Sequence, residues 1–219
     1  MKQFYLKSGI LPLLLGLDYL LYAVWTLGRR LAAMWMDGGA PQTAPSLLSA
    51  ALFALAPLIL YALSAKDSED TAKIAFFAGA VSRFLAFAVY VLSSGSAKGA
   101  DLLPLIIVLS LGAAILETAC FGLCACTARP SRTETLCAAA AALACALEQA
   151  AYLVVLYTSL RMTRAGYAAS LVKTLSAFST AHLFAAIVKG VVCALFFVLV
   201  RIWRHEHAAD AGSELPEQD

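Results

Sequence analysis

Residues 111–126, LGAAILETACFGLCAC, decide how this chain is read, because one glutamate, Glu117, interrupts an apolar run of the kind that crosses a lipid bilayer. The interruption recurs downstream. LCAAAAALACALEQAAYLVVLY (136–157) carries Glu148, and AFSTAHLFAAIVKGVVCALFFVLV (177–200) carries His182 and Lys189. A charge at the centre of a spanning helix costs about 3 kcal/mol on insertion scales and roughly 10 or more in simulations, so by default it faces a partner or a water-filled cavity. Three such segments in succession point to a polar interior inside an apolar bundle.

The composition supports that reading. Of 219 residues, 62% are hydrophobic and 14% charged, with a mean hydropathy of +0.81. A soluble domain averages roughly 45–50% apolar and 25% charged residues. The chain reads as an all-α, polytopic transmembrane helical bundle of about six spanning helices, expected at about 9–28, 45–64, 72–92, 103–126, 136–159 and 178–201. One integral membrane domain over 1–204, followed by a polar tail over 205–219, accounts for the whole length, with no linker that sets off a second domain. The basic, apolar amino end has no small-residue cleavage site and carries Asp18, so it reads as a retained first span.

The net charge of +2 is spread without a basic stripe, which excludes nucleic acid as a partner and leaves membrane lipid as the solvent of the bundle. On the side of the N terminus lie Lys2, Lys7, Lys66, Lys73, Arg129, Arg132, Arg201 and Arg204, against Arg29, Arg30, Lys98, Arg161, Arg164 and Lys173 opposite. That bias favours both termini in the cytoplasm, and the expected location is the bacterial inner membrane. The six cysteines all fall in or at the ends of apolar segments, where they read as small buried thiols and not as a disulfide framework. A stripe of Ala138, Ala142, Ala146 and Ala150 is expected to seat a neighbouring helix at close range.

Asp18, Arg83, Glu117, Glu148, His182 and Lys189 are the titratable groups inside apolar runs. One account is mutual neutralisation, Asp18 with Arg83 and Glu148 with Lys189, because a hydrogen-bonded pair is far cheaper in lipid than two isolated charges. Lys189 follows His182 by two helical turns and shares its face. A second account makes Glu117, Glu148 and His182 the ligands of a divalent metal, zinc above all. Three protein ligands and an open position for water define a catalytic zinc site, and a carboxylate left free of the metal acts as general base. Catalytic duty would then fall to Glu148 and Glu117. Cys120 and Cys124 share the face of Glu117, and Cys145 precedes Glu148 by one turn, so thiolates are available to supplement such a site.

The run ILETACFGL resembles the Glu-centred helix of the PrsW-type intramembrane metalloproteases. ALEQAAYL, with Glu148, Gln149 and Tyr152, is similar to their Glu-Asn-x-x-Tyr motif, and AHLFAAIVKG, with His182, Phe184 and Gly190, to their His-centred helix. YhfC-type membrane proteins share the Glu, Glu, His order. The resemblance covers roughly residues 110–195 and implies a cavity-forming bundle that cleaves a membrane-embedded peptide or protein substrate with a bound metal. The chain departs from the pattern at Thr118, which replaces a second glutamate, at Phe121, where a basic residue is expected, and in lacking a later histidine within a span.

Helix geometry at 1.5 Å per residue sets Glu117 about 5 Å to one side of Glu148 and His182 about 10 Å to the other. Convergence on one metal therefore requires the sixth span to begin early or to tilt. Two further functions stay open: a small-solute transporter or importer subunit in which Arg83 or Lys189 holds the ligand, and a non-catalytic membrane partner in which the charges simply pair.

Overall fold

The computed structural model describes residues 10–35, 51–68, 70–94, 102–127, 132–165 and 169–213. They form six α-helices and, among the described residues, no strand: α1 (Ile10–Trp35), α2 (Ala56–Asp67), α3 (Asp70–Ser94), α4 (Leu103–Thr127), α5 (Arg132–Ala165) and α6 (Ala169–Ser213). A single π-helical turn, Ala51–Leu55, leads into α2. Pro12, Pro57 and Pro104 all fall in first turns, where a missing N–H costs no helical hydrogen bond.

Five helices carry stretches long and apolar enough to cross a membrane: Ile10–Gly28, Ala72–Leu92, Pro104–Cys126, Thr133–Val155 and Ser179–Val200. The second expected span is represented by residues 51–67, because 45–50 lie outside the described residues. Helix α6 runs on to Ser213, into the polar tail expected from residue 205. At its other end α6 begins at Ala169, nine residues before the expected 178.

Each helix packs against its chain neighbours, and α6 closes the ring against α1. The outward face is apolar, with Leu17, Leu21, Phe77, Phe84, Ile115, Leu143, Phe184 and Leu195 exposed, as lipid requires. The inward face is polar at mid-depth, with Arg83, Glu117, Glu148 and Lys189 all buried. Tyr19, Tyr61, Phe76, Phe121, Phe196 and Phe197 form an aromatic plug in the core, with touching rings 5.2 to 6.4 Å between centroids.

The alanine stripe of α5 does not take the orientation expected of it. Ala138 is buried, but Ala146 and Ala150 face outward. The buried line is Glu134, Ala138, Ala141, Cys145 and Glu148, which repeats at helical spacing and turns Glu148 inward. An alanine stripe is indifferent to rotation, whereas a carboxylate in lipid is not, so the carboxylate sets the helix's facing.

Ring closure depends on close approach between α1 and α6. A Cβ at Gly190 would lie 2.6 Å from Ala23 Cβ and 2.7 Å from the Tyr19 carbonyl oxygen, and one at Gly16 would lie 3.3 Å from the Ala194 carbonyl oxygen. Small residues let helices pack where lipid offers no hydrophobic driving force. Gly190→Leu is expected to lower stability in detergent by about 1–3 kcal/mol or more, as overpacking does. Gly28→Ala, with nothing within 4 Å, should not lower the thermal transition.

Candidate functional site: a ladder of buried charges

Every helix delivers polar atoms to one connected cluster. The Lys189 ammonium on α6 stands at its centre, with Nζ 2.9 Å from Glu117 Oε2 on α4 and 3.2 Å from Glu148 Oε2 on α5. The guanidinium of Arg83 on α3 donates to Glu117 Oε1 at 2.7 Å. The Tyr19 hydroxyl on α1 donates to the same oxygen at 2.6 Å and stands 2.9 Å from the Tyr61 hydroxyl on α2. The Tyr22 hydroxyl donates to Glu148 Oε1 at 3.2 Å, and His182 Nε2 lies 3.5 Å from that oxygen. Arg83 also sits over the Tyr19 ring at 4.9 Å and Lys189 over the Tyr22 ring at 5.5 Å, each cation facing the negative face of an aromatic ring.

The order along the ladder is therefore Arg83, Glu117, Lys189, Glu148, His182, with the first four alternating in sign. Two acids and two bases cancel before His182 is counted. Within lipid this arrangement is what makes ionised side chains tolerable, because each carboxylate accepts several charge-assisted or hydroxyl hydrogen bonds. The ladder opens at the histidine end. The His182 side chain keeps 29% of its exposure against 6% for Lys189, and Tyr152 packs against it with centroids 5.7 Å apart.

The expected residues divide as follows. Glu148 and Lys189 pair as the neutralisation account has it. Arg83 pairs with Glu117 and not with Asp18, which stands half-buried within electrostatic reach of Arg83, Glu117 and Lys189. His182 reaches Glu148 in spite of the separation in depth, because α6 runs antiparallel to α5 and puts His182 beside Tyr152 and Lys189 beside Glu148. Glu117 stays on the far side of Lys189. Tyr152 packs against His182 with the rings tilted by 48° and bonds to Ser110, while Gln149 takes no part in the ladder and its buried Nε2 has no hydrogen-bond partner among the described residues.

The donor set does not fit a zinc centre as arranged. Both Glu117 oxygens are committed to Arg83, Tyr19 and Lys189, and an ammonium sits where a cation shared by the two glutamates would lie. Among the described residues no group of three His, Cys, Asp or Glu side chains stands close enough to hold a metal ion. The tyrosine hydroxyls of Tyr19, Tyr22 and Tyr61 are the members that sequence reading missed. The signal of the first two was available in α1, where Leu15, Tyr19, Tyr22 and Thr26 recur at helical spacing on the line facing the core. Comparisons with protein-family models, curated proteins and solved structures find no match to this chain.

Removing one partner from a buried ion pair costs about 3–5 kcal/mol, because the other charge is left uncompensated. Glu117→Gln is expected to lose stability of that order in thermal unfolding of detergent-purified protein. Arg83→Met in the Glu117→Gln background should cost far less than Arg83→Met alone, since the guanidinium by then has lost its carboxylate.

Proposed function

We propose that the chain is a membrane carrier, or the solute-capturing subunit of an importer, that takes a small charged solute between its helices at the ladder. The observation that carries this reading is Lys189, held by two carboxylates at once. A solute that carries both an amine and a carboxylate can insert between Lys189 and Glu148, its amine on Glu148 and its carboxylate on the ammonium, without leaving an uncompensated charge in lipid. The insertion would begin at the Glu148 end, where the contacts are 3.2 to 3.5 Å and His182 is the most exposed member. Tyr22, Tyr152 and the apolar helix walls supply the rest of a pocket with few but convergent polar groups.

Carriers of this kind bind the solute more tightly in one conformation than in the other, and that difference drives the change of state. Bound solute should therefore stabilise the purified protein by mass action. A thermal-shift screen of small amines, amino acids and carboxylates is expected to find a stabilising solute, and Lys189→Met should abolish its effect.

The intramembrane peptidase reading, with divalent metal at Glu117, Glu148 and His182, is supported by the approach of His182 to Glu148 and requires Lys189 to swing away. Elemental analysis separates the two. Stoichiometric zinc that is lost in Glu148→Gln and in His182→Ala would favour the peptidase and contradict the carrier. For orientation, the lysine and arginine bias supports both termini in the cytoplasm. Reporter fusions at the C terminus should report a cytoplasmic end.

A further inference from the structure

The ladder has a second layer directly beneath it. Cys120 follows Glu117 by three residues, Cys193 follows Lys189 by four, and Cys145 precedes Glu148 by three. Helices α4 and α6 run the same way, since Glu117 meets Lys189 and Phe121 meets Phe196, while α5 runs against both. All three steps therefore descend to the same side, and three thiols lie one helical turn below the three charges that form the centre of the ladder. All three are buried in one core cluster with Cys124. Cys145 Sγ and Cys193 Sγ stand 4.0 Å apart across the α5–α6 seam, and Cys120 lies within electrostatic reach of Cys193.

We propose that Cys145 and Cys193 form a binding site for a soft divalent metal ion of the mercuric type, which takes two thiolates in a near-linear arrangement and is a second cargo of the carrier, beside the solute of the ladder. The inference about cargo rests on the carrier reading above; the inference about binding does not. Two distances and a ligand count favour an ion over a disulfide or a four-ligand centre, at a pair that stands in thiol–thiol hydrogen-bond contact. A disulfide requires sulfurs about 2.05 Å apart, so this pair would have to close by about 2 Å through packed helices. A linear complex with metal–sulfur bonds of about 2.3 Å requires about 4.6 Å, an opening of only about 0.6 Å. Zinc and iron–sulfur centres take four ligands, and among the described residues no group of three suitable side chains could hold a metal.

Charge completes the choice. Binding converts two thiols and one divalent ion into a neutral bis-thiolate complex and releases two protons to solvent. A neutral complex suits this depth in the bundle, whereas a monovalent ion would leave a net negative charge beneath a ladder that is already balanced. Soft thiolates select soft ions over the harder divalent cations of the cell.

The test uses the detergent-purified full chain and mercuric ion alone, in the presence of excess glutathione to strip ions held by a single thiol. One mercuric ion per chain is expected to survive gel filtration. Cys145→Ala and Cys193→Ala should each abolish retention while remaining monodisperse, and Cys126→Ala, at the exposed end of α4, should not. Should an alanine variant fail to fold, alkylation of wild-type protein after denaturation decides the matter, with Cys145 and Cys193 protected together and Cys126 modified.

No retained ion in the wild type, or retention that survives loss of both cysteines, overturns the site. Uptake of mercuric ion into proteoliposomes then tests the purpose separately. Binding without uptake removes this cargo and keeps the site, whereas uptake unaffected by Cys145→Ala keeps a carrier and removes the cysteines from it.

Discussion

One ammonium group, Lys189 Nζ, within hydrogen-bonding distance of carboxylates from two other helices, is the constraint on which this bundle depends. In lipid the apolar surfaces of helices gain little from meeting one another, so packing and polar contacts must choose the partners. The ladder makes that choice for all six helices. Tyr19 and Tyr22 come from α1, Tyr61 from α2, Arg83 from α3, Glu117 from α4, Glu148 from α5, and His182 and Lys189 from α6. Turning any of these helices by a third of a revolution would leave an uncompensated polar group in lipid.

The two seams flanking α6 show how packing and charge cooperate. Against α1, Gly190 allows contact so close that no side chain fits, and the lysine one residue earlier is thereby carried to the centre of the ring. Against α5, Cys145 and Cys193 fill the seam with small side chains directly below the Glu148–Lys189 pair. The aromatic plug of Phe121, Phe196, Phe197, Tyr19 and Tyr61 borders this region, so two charged or polarisable layers lie against a rigid apolar floor.

The helices and the buried acids were legible in the sequence because hydropathy and the cost of charge in lipid are properties of single segments. Glu117, Glu148, His182, Arg83 and Lys189 all stand out by that criterion, and all are in the ladder. Partner choice was not legible in the same way. Asp18 and Arg83 looked matched by depth along their own helices, but Arg83 is committed to Glu117 because α3 packs on α4. The alanine pattern of α5 suggested a facing that Glu148 overrode. The tyrosines escaped notice because a hydroxyl on an aromatic ring registers as neither charge nor hydrophobe until its partner is known, as with Tyr61 bonded to Tyr19. Ring closure, which brings α1 and α6 together across nearly the whole chain, is a property of the assembled bundle.

The structure places a buried pair of opposite charges between the partly exposed His182 and a buried layer of thiols. Everything proposed for the site follows from the ammonium lying between the two acids. The most direct measurement is solid-state NMR of membrane-reconstituted protein, with labelled lysine amine nitrogen and labelled glutamate side-chain carboxyl carbon. A short-range dipolar coupling is predicted that vanishes in Lys189→Met and weakens by about half when either Glu117 or Glu148 is replaced. Absence of that coupling in the wild type, or its persistence without Lys189, would contradict the shared lysine and with it the ladder.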